Sequence, residues 1–215
     1  MNNIQINLCR VLVLPSVYVF TASLLTVASN RDWCPQLRVH TSSPTPPHVL
    51  HRVALLFAIQ ISLDFIIDHT SLPIEVRPCS IPRMLVAAFV LDTYQYWAHR
   101  IVHAVPRLYR HIHSKHHEFK KPLAWAALYN TITESILIDA ASLTVAQLAT
   151  RLSTLETLIL GSIATAKTVC DHSGYSIWFG NNAAYHARHH AFHNCNYEAP
   201  FFTIWDDVMQ TRTKC

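Results

Sequence analysis

The sequence predicts an all-α fold, an integral membrane helical bundle with a histidine-rich cap. Three observations lead there. Hydrophobic residues make up 51 % of the 215 residues and charged ones only 14 %, against roughly 25 % charged in an average soluble domain. Long uncharged stretches recur along the first three quarters of the chain, and 15 residues are histidine. A chain this apolar buries enough surface to offset its ordering entropy, which argues against disorder. With only 3 glycines, a glycine-rich phosphate loop and a collagen-like or linker-rich design are excluded.

The apolar segments come first. Val11 to Ser29 carries no charge and is flanked by Arg10 and Arg31. Its length is close to the roughly 20 residues that cross a bilayer. The apolar core of a cleaved signal peptide spans only about 7–15 residues, so an uncleaved anchor is expected. Thr41 to Pro47 is rich in Pro and Ser and reads as a linker. Val53 to Leu72 is apolar again but holds Asp64, Asp68 and His69 in its second half. Asp68 reads as a helix end emerging into water.

Met84 to Trp97 starts as a membrane stretch and then meets Asp92. A charge at that depth usually faces a bundle interior or a site. Ile132 to Val169, broken at Arg151 and Ser153, reads as a helical hairpin that dips into the membrane and returns. The remainder is polar and aromatic, and short helices are expected there. The domain division expected is 1–81, an N-terminal region with one or two transmembrane helices, and 82–215, a catalytic domain.

Charge and cysteine exclude more than they indicate. The net charge of +4 is not gathered into a basic face with interleaved aromatics, so nucleic acid is not an expected partner. The six cysteines contain no CxxC pair, which removes zinc-ribbon and thioredoxin readings. They are expected to be reduced, buried thiols.

The histidines carry the chemistry. Six of them fall between residues 99 and 117 and five between 172 and 193. His99 and His103 are spaced i and i+4, which puts both rings on one helical face. His113, His116 and His117 are spaced i, i+3 and i+4, and His186, His189 and His190 repeat that pattern. With His172, nine imidazoles exceed the four ligands of a tetrahedral ion, so two metal ions are expected. Neutral imidazole suits iron, copper, zinc and nickel. Beside hydrocarbon, and with no nucleophilic Ser or Cys signature, the chemistry expected is dioxygen activation by iron; a metal-binding protein without catalysis is the alternative. His40, His48, His51 and His69 read as solvated or structural. His111 is expected behind the ligand face, and His193 beside it or at the surface.

Several runs resemble the fatty acid hydroxylase/sterol desaturase superfamily, and within it the sphinganine C4-hydroxylases. They are Asp92-Thr-Tyr-Gln-Tyr-Trp-Ala-His-Arg-Ile-Val-His103, Tyr109-Arg-His-Ile-His-Ser-Lys-His-His117, Ala127-Leu-Tyr-Asn130, Asp171-His-Ser-Gly174, Asn181-Asn-Ala-Ala-Tyr-His-Ala-Arg-His-His190 and Asn196-Tyr-Glu-Ala-Pro-Phe-Phe-Thr-Ile-Trp-Asp206. The resemblance covers about residues 82–211. It implies metal ligation by His99, His103, His113, His116, His117, His172, His186, His189 and His190. It also implies two iron ions per chain, and electrons from NAD(P)H through a b5-type cytochrome and its reductase. The implied reaction is hydroxylation of a lipid chain by dioxygen in the endoplasmic reticulum membrane, of the type that turns a long-chain base into phytosphingosine. A desaturase, or a hydroxylase acting on a sterol or secondary metabolite, shares the same chemistry. Asp92, Tyr96 and Asn130 match family positions without an assignable role, and Gln210 stands where glycine is expected.

Both histidine clusters are expected on the cytosolic face. An even number of crossings between them returns the chain to the same side. Arg100, Arg107, Arg110, Lys115, Lys120 and Lys121 crowd the first cluster, and short basic segments stay cytosolic.

Overall fold

The structure is a computed structural model describing residues 3–41, 43–68, 78–177, 182–197 and 200–213. Side chains of residues 3–10 and 63–68 are outside the description, as is all of His69. The readings of Asp64, Asp68 and His69 therefore lie outside the described residues.

The described residues are mostly helical and contain no strand; one isolated bridge joins Arg38 to Tyr175. Helix α1 spans Asn3–Asn30, α2 Pro47–Asp68 and α3 Ile81–Ala104. A short α4 at Pro106–Leu108 runs into a π-helical turn at Tyr109–His113. Helix α5, Ile132–Glu134, continues through a second π turn, Ser135–Ala140, into α6, Ala141–Thr150. Helix α7 spans Thr154–His172, α8 Ala183–Phe192 and α9 Ile204–Val208. Among the described residues, two segments are long and apolar enough to cross a membrane, Val11–Asn30 and Ile132–Thr150.

The expected break at Arg151 and Ser153 has a clear local cause. Arg151 turns the chain with φ 54°, and Ser153 caps α7 in a reciprocal capping box with Glu156. The buried Glu156 carboxylate also accepts from the Ser80 backbone N–H at 2.8 Å and from Arg83 Nη2 at 2.9 Å. The tip of the hairpin is thereby tied to the start of α3. Its two arms then pack on different partners, α6 along α3 and α7 along α1.

Two apolar clusters flank the histidines. Tyr18, Val49, Val53, Leu123 and Val169 join α1, α2, α7 and the loop before α5. Ala87, Leu91, Ala146 and Leu160 join α3, α6 and α7. Asp92 is buried in this second region, where it accepts from the backbone N–H of Phe201 and of Phe202, the latter at 2.6 Å. It pins the C-terminal segment to α3. The cysteines differ from expectation: Cys170 and Cys195 are buried, but Cys34 and Cys79 are exposed, each lying in a loop outside the long helices.

Gln210 adopts φ 56°, a left-handed conformation in which a Cβ is strained by about 1–2 kcal/mol. That is the physical reason glycine is expected there. Replacing Gln210 by glycine relieves the strain but adds entropy to the unfolded chain. The net expectation is a gain of roughly 0.5–1 kcal/mol, read as a raised thermal unfolding midpoint in detergent.

Candidate metal centre

Nine buried imidazoles converge from α3, the segment 109–118, α7 and α8 into two groups. His99, His103, His113, His117 and His189 form one; His116, His172, His186 and His190 form the other. In each group the potential ligand atoms all lie within 4.8 Å of one another. The groups are adjacent, with the His117 and His190 rings 4.5 Å apart between centroids.

The split departs from the expectation of three ligands on one face. On α8, His190 lies about 40° around the helix from His186, whereas His189 lies about 60° the other way. His186 and His190 therefore serve one group and His189 the other. The segment 113–117 does the reverse: His113 and His117 join His189, while His116 crosses to join His186 and His190. Each three-histidine box thus contributes to both groups.

The ring nitrogens have distinct environments. Nδ1 of His99 faces the Tyr197 carbonyl at 3.0 Å, that of His172 the Thr168 carbonyl at 2.8 Å, that of His189 the Cys195 carbonyl at 2.8 Å and that of His190 the Phe119 carbonyl at 3.0 Å. A carbonyl oxygen only accepts, so these Nδ1 atoms carry the proton and their Nε2 atoms present lone pairs. The Nε2 atoms nevertheless lie 2.8–3.2 Å from one another: His99 to His113 at 2.8 Å, His189 to His117 at 3.0 Å and His186 to His172 at 2.9 Å. Lone pairs facing at such distances repel. A cation among them converts that repulsion into ligation, and this donor set fits metal ions. Burial pushes the pKa values of His113, His116, His186, His189 and His190 well below the ordinary imidazole value, favouring the neutral form a metal requires.

Two side chains that sequence reasoning did not single out complete this frame. Glu134 accepts from His113 Nδ1 at 2.6 Å. Asp139 accepts from Asn130 Nδ2 at 2.7 Å, while Asn130 Oδ1 faces His116 Nδ1 at 2.9 Å. Asn130, a family position without a role in the sequence, thereby orients a ring of the second group. The available signal was two acids inside the apolar stretch 132–150. The remaining histidines behave differently. His111 is exposed, and so does not stand behind a ligand as expected. His193 lies beside the site, its ring 4.8 Å from that of His117. His48 is exposed and reaches Glu118 at 3.2 Å. His40 packs on Gly174, whose φ of +77° and contact with the His40 carbonyl exclude a Cβ.

A cavity of about 420 Å³ adjoins both groups. His99 and His113 border it from one group, and His116, His172 and His186 from the other. Apolar side chains such as Val53, Phe57, Leu91, Ile136 and Leu143 form much of the rest.

The family model for fatty acid hydroxylase matches residues 84–211, more than half of the chain, and contains all nine convergent histidines. The chain belongs to the fatty acid hydroxylase family. Among curated relatives, it is 42 % identical over 133 residues to the sphingolipid C4-hydroxylase of Saccharomyces cerevisiae, covering 58 % of this chain and 38 % of that protein. It is 38 % identical over 138 residues to sphinganine C4-monooxygenase 2 of Arabidopsis thaliana, covering 60 % and 53 %. A very-long-chain aldehyde decarbonylase of Oryza sativa subsp. japonica is 37 % identical over 169 residues, covering 73 % and 66 %. The chain spans about half or less of the length of the C4-hydroxylases it matches. No solved structure matches.

In this fatty acid hydroxylase family member, Asn130→Ala removes the acceptor that orients His116. The expected outcome is a 10–100-fold loss of metal affinity, the usual effect of losing such a partner. Competition with a graded chelator, followed by metal analysis, measures it.

Proposed function

We propose that this chain is the catalytic part of a membrane-bound oxidoreductase that hydroxylates a C–H bond of a lipid chain. The observation that carries the reading is the pair of convergent Nε2 groups opening onto one largely apolar cavity. His99, His103, His113, His117 and His189 would hold one metal ion, and His116, His172, His186 and His190 the other, iron being the metal proposed. Iron bound there supplies dioxygen reduction, in which two electrons and two protons place one oxygen atom in the C–H bond and release the other as water.

The protein's own groups do the rest. Backbone carbonyls of Tyr197, Thr168, Cys195 and Phe119 fix the ring tautomers, so the ligands are in place before substrate arrives. The apolar walls hold an alkyl chain and exclude water from the reacting carbon. Large apolar side chains exposed on α1, α3 and α6, among them Phe20, Leu85 and Leu148, suit a lipid surround. We place the site on the cytosolic side of the endoplasmic reticulum membrane, where a b5-type cytochrome and its reductase deliver electrons from NAD(P)H. The domain division at residues 81 and 82 belongs to the same reading.

The similarity to C4-hydroxylases favours a long-chain base as substrate, with hydroxylation at its C4. Expression in cells lacking their own C4-hydroxylase, with lipid analysis, is the test. A trihydroxy base that appears with the wild type and not with a histidine variant supports the reading. An unchanged lipid profile, from a protein that binds two metal ions per chain and is supplied with reductase, overturns it.

A further inference from the structure

The 420 Å³ cavity is long in one direction. Helix α7 lines it from His172, a member of the second histidine group, back through Thr168, Thr165 and Ala164 to Gly161. These positions are spaced three or four apart, so they share one face of the helix. At 1.5 Å per residue, that face runs about 16 Å along the helix axis. The acidic residues of the lining all lie toward the histidines. Glu134 holds His113, Asp139 is joined to His116 through Asn130, and Asp171 precedes His172.

The far end is built differently. Leu14 of α1 and Leu143 of α6 meet there over the buried Gly161. A Cβ on Gly161 would lie 3.0 Å from Leu143 Cδ2 and 3.2 Å from Leu14 Cδ2. Glycine therefore lets both leucines close on α7. Each leucine belongs to one of the two segments apolar enough to cross a membrane. Leu14 also lies outside residues 84–211, the part of the chain that the family model matches. A polar group pushed against these leucines would be buried without a partner, so the end of a lipid that reaches them is its methyl end.

We infer that Leu14, Leu143 and Gly161 form a stop that sets how much alkyl chain fits beyond the hydroxylated carbon. This deepens the proposed function and rests on it. Carbon–carbon bonds of about 1.5 Å advance an extended chain by roughly 1.3 Å each, so 16 Å holds about a dozen carbons. A chain several carbons longer must push the leucines aside or draw its reacting carbon away from the histidines. Leu14→Ala and Leu143→Ala each delete three carbons from the stop. Gly161→Ala acts the other way, because its Cβ drives both leucines into the lumen.

The experiment uses the full chain, metal-loaded, in bilayer discs supplied with the reductase system. The probes are an equimolar mixture of saturated long-chain bases of graded length, and the readout is the ratio of hydroxylated products. Such a ratio compares kcat/KM between chains and does not depend on how much of a variant is folded. The wild-type product is expected to fall about tenfold once the chain outgrows the cavity. Leu14→Ala and Leu143→Ala are expected to move that cut-off about three carbons longer, and Gly161→Ala to move it shorter. A general loosening of the fold would not shift it in opposite directions. Product ratios that are flat across the series in the wild type overturn the inference, as does a cut-off that stays in place in all three variants. If an alanine variant fails to fold, Leu143→Val decides, with a cut-off expected about one carbon longer and an unmoved one overturning the inference. No hydroxylated product at any length from the metal-loaded wild type counts against the proposed function, and the inference falls with it.

Discussion

Replacing His116 or His189 by alanine is expected to abolish turnover, while His48→Ala or His51→Ala leaves most of it. The contrast follows from position. His116 and His189 are buried, their Nε2 atoms lie inside the two groups, and their Nδ1 atoms are held by Asn130 and by the Cys195 carbonyl. His48 and His51 are exposed on α2. His189 and His116 are also the residues that cross between boxes, so each variant removes one donor from a different group. Metal analysis should then show loss from one group with the other retained. Losing even the orientation of a ligand costs 10–100-fold, and losing the donor costs more. Equal loss of activity from all four variants would point to folding and leave the ligand assignment without support.

How much of this was legible beforehand divides along a physical line. Features set by local spacing could be read: the apolar run of α1, the break at Arg151 and Ser153, and the nine histidines themselves. Features set by tertiary placement could not. Spacing puts His113, His116 and His117 on one face, but which neighbour each meets depends on where α8 lies. The π turns at Tyr109–His113 and Ser135–Ala140 shift the register of every residue after them, and no residue in those turns signals it. Asp92 shows the same limit. A charge in an apolar stretch, seven residues before the first histidine pair, points to a bundle interior or a site, yet its carboxylate holds the backbone of Phe201 and Phe202. Glu134 was the reverse case, hidden because the stretch around it reads as plain membrane helix.

Acidification is expected to unfold the metal-free protein well above the pH at which ordinary carboxylate titration would do so. Burial lowers the His172 pKa to about 4, while the same group in the unfolded chain titrates near the ordinary 6.5. Between those values the unfolded chain binds the proton and the folded chain does not, so stability rises with pH across that window. The contribution is fully present above about pH 6.5 and is lost as pH falls toward 4; for this one imidazole it is on the order of 3 kcal/mol. His113, His116, His186, His189 and His190 shift in the same direction from the same cause, while the buried Asp171 carboxyl, raised to about 7 by burial, opposes them over the same window. A bound metal competes with the same protons and moves the midpoint to lower pH. Thermal unfolding from pH 7.5 to 4.5, with and without metal, measures both effects. A metal-free protein whose midpoint stays flat across that range would show that the imidazoles are not buried as neutral bases.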